Sequence, residues 1–271
     1  MAVAPRQVLE TLDRRLKTLL PPAYKDSYEQ VQPVSMGSAG LKYDADGNVA
    51  WDEIWGSFCD LAMAGGPPHK GTFLGPGTED EIDADFDGYD AAAEEICRGI
   101  SMVTGMRAYP SPTVGWVRVT CPGDAMAGWL MRAAIMENVA ARREGAILEL
   151  PAAPHFRLAK EIKNVVTVAA KTTHYWVGHM PAEQQQAIAQ LFIEHERPLP
   201  LVQLDFARGA EAWHGVDGGS VARAVWMMRA LVAGNVLARR EGTTVFVPVE
   251  ARDAVAPVQA LADLRLGPDA R

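Results

Sequence analysis

The sequence predicts an α/β fold of alternating helices and short strands built on an internal repeat. Stretches rich in Ala, Leu and Met without internal proline recur at helical length, and short apolar or alternating runs fall between them. The segment WLMRAAIMENVAARREG at 129–145 returns as WMMRALVAGNVLARREG at 226–242, identical at 11 of 17 positions. Self-similarity at a fixed offset of 97 points to duplicated helix–strand–helix–strand units, with 129–151 and 226–248 as the matched cores. Alternating helices and strands make a layered domain, with right-handed crossovers wherever neighbouring strands are parallel.

The elements follow in order. MAVAPRQVLETLDRRLKTLL reads as an amphipathic helix rather than a leader, because no basic stretch precedes an apolar run and a small-residue cleavage site. Asp46-Gly47-Asn48 lies between two aromatic-containing runs and predicts a hairpin turn. A third, degenerate copy of the repeat is readable at 55–76, where Trp55 and Gly71 keep the sixteen-residue spacing of Trp129/Gly145 and Trp226/Gly242. The Gly- and acid-rich stretch 75–90 predicts a boundary, and 89–102 a helix. The 129–145 and 226–242 segments read as helices ended by Gly145 and Gly242 in the left-handed cap position. Short strands follow each, AILELP and TTVFVP. Further helices are expected at 158–177, 181–196 and 254–264, with a Gly-rich loop over 207–219. The division is then 1–80, 81–180 and 181–271.

Composition narrows the function. Among 271 residues, 48% are hydrophobic and 22% charged, which excludes a mainly disordered, collagen-like or disulfide-stapled chain. The charge balance, 26 − 34 = −8, argues against a nucleic-acid or anionic-membrane surface. No apolar run reaches the ~20 residues of a membrane span. Cys59, Cys97 and Cys121 form no C-x-x-C pair, which fits free thiols in a reducing cytoplasm. Heavy use of Ala, Gly and Arg fits a bacterial source.

Candidate chemistry concentrates in a few places. Ala64-Gly65-Gly66-Pro67-Pro68-His69-Lys70-Gly71-Thr72 departs from the other copies and offers donors on a stiffened, Gly-containing loop. It is not a phosphate-binding P-loop, which needs Gly-Lys-Ser/Thr leading into a helix. His69 and His174 are the acid/base candidates; Lys70, Thr72, Arg132, Asn138, Arg229 and Asn235 are the ligand-binding candidates. Arg132 and Arg229 lie mid-helix among apolar neighbours, where a guanidinium needs a carboxylate or carbonyls. A structural role serves them as well as a ligand does, and the same holds for Asn138 and Asn235. Arg-Arg-Glu-Gly reads as a cationic last turn complementing the helix dipole. Asp83, Asp85, Asp87, Gly88 and Glu94 match the EF-hand loop pattern, with acidic first-turn residues as the plainer alternative.

The expectation is a cytoplasmic bacterial enzyme or cofactor-maturation factor binding a small anionic metabolite in a cleft between the repeats. A homo-oligomeric, non-catalytic assembly subunit using the Trp- and Met-rich repeat faces is the first alternative. A calcium-binding protein is the second. The cofactor is left unassigned, since no nucleotide, flavin, haem or iron–sulfur signature stands out.

Overall fold

A computed structural model describes residues 5–19, 40–54, 73–192 and 212–267. The described residues combine helices with two small antiparallel sheets, and the chain forms two compact units. Among the described residues the first unit comprises 40–54 and 74–178; the second comprises 5–19, 73, 179–192 and 212–267.

The first unit opens with the expected tight turn. Gly47 takes φ 84, Tyr43 and Val49 bridge antiparallel, and the Asp44 carboxylate accepts the Asn48 N–H at 2.8 Å. Helices α1 (Pro5–Leu19, in the second unit), α2 (Glu79–Ala84) and α3 (Phe86–Thr104) precede the first sheet. Thr78 starts α2 with a capping box: its hydroxyl accepts the Glu81 N–H and the Glu81 carboxylate accepts the Thr78 N–H at 2.9 Å. Asp85 starts α3 by accepting the Gly88 N–H at 3.0 Å. The sheet holds β1 (Ala108–Pro110), β2 (Trp116–Thr120), β3 (Arg142–Glu144) and β4 (Ile147–Pro151) in the order β1-β2-β4-β3. Period two decides its faces. Val117, Val119, Leu148 and Leu150 are buried, and α3 and α4 (Asp124–Met136) pack against β2 and β4 respectively. The other face carries the pairs Arg118↔Glu149 and Arg142↔Glu149. Helix α5 (Lys163–His174) packs on α3 and α4, with π-helical turns at Leu158–Ile162 and Tyr175–His179 before and after it.

The second unit contains α1, α6 (Ala182–Phe192), β5 (Trp213–Asp217), α7 (Val221–Ala233), β6 (Arg239–Glu241), β7 (Thr244–Pro248) and α8 (Val255–Leu266). Its sheet has the order β5-β7-β6. Leu12, Leu16 and Leu19 bury one face of α1, at about 1.5–3 kcal/mol for each fully buried side chain. Arg15 on that face donates through Nε to the Ala233 carbonyl at 2.7 Å, supplying a cation to the last turn of α7. Arg223 on α7 meets Asp263 on α8 at 2.6 Å. Every bound of β5, α7, β6 and β7 equals that of β2, α4, β3 and β4 plus 97.

Several expectations are corrected here. The strands within each sheet are antiparallel, so no right-handed parallel crossover exists between named strands. Helix α4 stops at Met136 and α7 at Ala233, well before the glycines. The left-handed residues are Asn138 (φ 66) and Asn235 (φ 62). Val139 N–H donates to Ala134 O at 3.0 Å and Asn138 N–H to Ile135 O at 2.9 Å, the two bonds of a Schellman cap. Val236 and Asn235 repeat them on Leu231 and Val232. Asn stands here in the place glycine usually takes, because its short polar side chain tolerates that backbone region. Arg-Arg-Glu is therefore a strand rather than a helix end, and Gly145 (φ 55) and Gly242 (φ 56) turn the following hairpins. Residues 79–84 and 86–104 are helical, so 75–90 is not a linker, and 213–217 is a strand within the expected loop. Trp129, Met131, Trp226 and Met228 are buried in the cores. The degenerate copy at 55–76 lies almost wholly outside the described residues.

Candidate polar site at the end of the fifth helix

Helix α5 reads as apolar at Val165, Val166, Val168, Ala169 and Ala170, yet Lys163, Thr167, Lys171 and Tyr175 recur every four residues and all four are buried. Residues at that spacing stack on one helical face. Thr167 returns its hydroxyl proton to the Lys163 carbonyl at 2.5 Å, and Thr172 does the same to Val168 at 2.7 Å. Burial holds the Lys163 ammonium below the ordinary lysine range.

Lys171, 2% exposed, donates through Nζ to the carboxylate of Glu137. Glu137 is the C-cap residue of α4 and is itself buried. The Tyr175 ring centre lies 5.9 Å from the ammonium. Desolvating both charges costs several kcal/mol per ion, offset only when the pair is close and hydrogen-bonded. His174 is half-buried beside them in sequence, its ring centre 6.3 Å from that of Tyr175. Trp176, in the π-helical turn, packs tilted against Trp129 of α4, with ring centres 5.8 Å apart. π-helical turns recur at functional sites because the extra residue re-aims side chains.

Asn138 follows Glu137, and its carbonyl accepts the Leu74 N–H at 3.1 Å, while Ala140 N–H donates to Leu74 O at 2.8 Å. Leu74 comes two residues after Thr72; Thr72 itself, His69 and Lys70 lie outside the described residues. Arg132 is buried on α4 and donates to the Gly128 carbonyl at 3.1 Å. Arg229 and Asn235 are buried in the second unit. Of the candidates read from sequence, Arg132, Asn138 and His174 share the first unit. The two asparagines serve as backbone caps. Glu137 and Lys171 escaped sequence reasoning, although two lysines and a threonine at four-residue intervals on an apolar helix were the available signal.

A second polar cluster lies on the outer face of the first sheet. Glu149, 8% exposed at its side chain, accepts from Arg142 Nε at 2.5 Å, Arg118 Nε at 3.0 Å and Ser111 Oγ at 2.6 Å. The Arg142 guanidinium stacks over Trp116 at 4.3 Å. Burial alone raises the Glu149 carboxyl, but the bonds from Ser111, Arg118 and Arg142 outweigh it and hold the group below the usual carboxylate range.

The EF-hand pattern does not form a loop. Asp83 lies in the last turn of α2, Asp85 caps α3, and Asp87, Gly88 and Glu94 lie within α3. Gly88 has a packing reason, since a Cβ there would collide with the Asp85 carboxylate. Among the described residues no group of three His, Cys, Asp or Glu side chains is placed to hold a metal. None of their helices is long and apolar enough to cross a membrane.

Comparison with protein-family models, curated proteins and solved structures finds no match for the chain.

Proposed function

We propose that the chain is a cytoplasmic bacterial small-molecule-binding protein, an enzyme or cofactor-maturation factor. Its small, anionic metabolite is taken at the Glu137–Lys171–His174 corner of the first unit. The observation carrying this reading is the Lys171 ammonium, buried to 2% exposure and held by a carboxylate from another helix beside a π-helical turn. In this reading Lys171 supplies charge to the ligand, Glu137 positions the ammonium, and His174 moves the proton. The corner draws on residues of the first unit; Arg229 and Asn235 belong to the second. The two β–α–β–β segments are read as products of one duplication; the shared offset of 97 and the paired Asn caps support it.

The test is native mass spectrometry of protein purified without chelator, set against its denatured mass. A copurifying anion present in the natural chain, lost from Lys171→Met and retained with altered turnover in His174→Ala, is the expected result. An adduct unchanged in Lys171→Met, or no adduct and no ligand-induced thermal shift across a metabolite panel, overturns the assignment.

A further inference from the structure

The two sheets carry the same arginine in different company. In the first, Arg142 stacks on Trp116 and its Nε donates to the Glu149 carboxylate at 2.5 Å. In the second, 97 positions later, Arg239 stacks on Trp213 with its guanidinium carbon 4.8 Å from the ring centre. The position paired with it across the strands is Phe246 instead of Glu149. The Phe246 ring centre is 4.5 Å and that of Phe73 5.0 Å from the same guanidinium. Gly215 replaces Arg118, and a Cβ there would press on the Phe246 ring at 2.8 Å. Arg239 Nη1 is held by Glu241 at 2.5 Å, yet its buried Nε has no hydrogen-bond partner. A buried guanidinium N–H without an acceptor loses its hydration with nothing to replace it. In the first sheet the equivalent atom, Arg142 Nε, has a carboxylate to bond.

We infer that the outer face of β5-β7-β6 is a binding site for a small carboxylate with a flat apolar body. Its carboxylate would take the Arg239 Nε–H as Glu149 takes that of Arg142, and its body would lie against the rings. Arginine suits a planar oxyanion because its donors form a fixed fork. Aromatic walls lower the local dielectric and strengthen that bond. Phe73 is the one of the three rings that lies on no named strand, so moving it uncovers the guanidinium without disturbing the sheet. This site is separate from the Lys171 corner and stands whether or not that corner binds anything.

The experiment follows the Arg239 Nε–Hε resonance of the full-length 15N-labelled protein, assigned by its disappearance in Arg239→Lys. Benzoate is the probe, with acetate and inorganic phosphate in parallel. A saturable shift with benzoate, about tenfold weaker with acetate, is expected. Phe246→Glu restores the carboxylate found in the first sheet; it should move the resonance without ligand and abolish the benzoate response. Phe73→Ala should tighten benzoate binding. An Nε–Hε resonance that ignores benzoate in both the natural chain and Phe73→Ala overturns the inference. So does a Phe246→Glu protein that binds benzoate as the natural chain does, or equal responses to benzoate and phosphate.

Discussion

Lys171 and Glu137 stabilise the first unit only as a pair. Lys171→Met leaves the Glu137 carboxylate buried without its ammonium, and a loss of about 3–5 kcal/mol is expected from urea denaturation. Adding Glu137→Leu should recover much of that loss, since apolar replacement of a buried ion pair is often neutral or stabilising. If the single and double variants are equally unstable, the pair is not what the substitution broke. Glu149 carries a pH signature. Its folded pKa lies below the unfolded one, so the unfolded chain binds the proton first as pH falls. The stability it contributes is full above the ordinary carboxylate range, about 4.3, and fades as pH drops through its own lower value. Glu149→Gln should flatten the acid side of a plot of urea midpoint against pH, though it lowers the neutral plateau by removing two charged hydrogen bonds. At this scale the sequence identified Arg132, Arg229, Asn138 and Asn235 as unusual, and all four are buried. It did not reveal partners, since the lysine at 171 and the carboxylate at 137 are 34 positions apart.

The helix ends are where element-level reading succeeds and fails. Ala, Arg and Glu after Met136 are good helix formers, so propensity alone extends α4 to Gly145. The Schellman cap at Asn138 stops it, because Val139 onward pairs with Leu74 and then enters the hairpin. Asn138→Ala should therefore cost about 1–2 kcal/mol by placing a Cβ-bearing, non-polar residue in left-handed backbone, whereas Asn138→Gly should be far milder. Asn235 should behave alike. Equal losses for Ala and Gly at either position would mean the side-chain amide, not the backbone, is what matters there. The acidic 83–94 stretch makes the converse point. Thr78 and Asp85 are capping residues, and they turn a calcium-loop spelling into two helix starts. Asp85→Ala should destabilise the first unit by about 0.5–2 kcal/mol without any calcium-dependent change in melting temperature.

For the chain as a whole, the thiols report on packing. Cys97 and Cys121 are buried, and burial pushes them to about 12 and about 11. Neither should react with a disulfide reagent at pH 8 in the native protein, while denaturation should release all three thiols of the sequence. Fast native labelling of Cys97 or Cys121 would show that α3 or the C-terminal end of β2 opens readily. Composition, the mixture of helix and strand, most helix positions and the recurrence at an offset of 97 were all written in the linear sequence, because each depends on residues close together in the chain. Strand direction, the packing of α1 on α6 and α7, and the meeting of Lys171 with Glu137 were decided only by the tertiary structure. So was the contrast between Arg142 on a carboxylate and Arg239 among three rings. Those features join residues far apart in sequence, and periodicity carries no information about which distant side chain completes a buried charge.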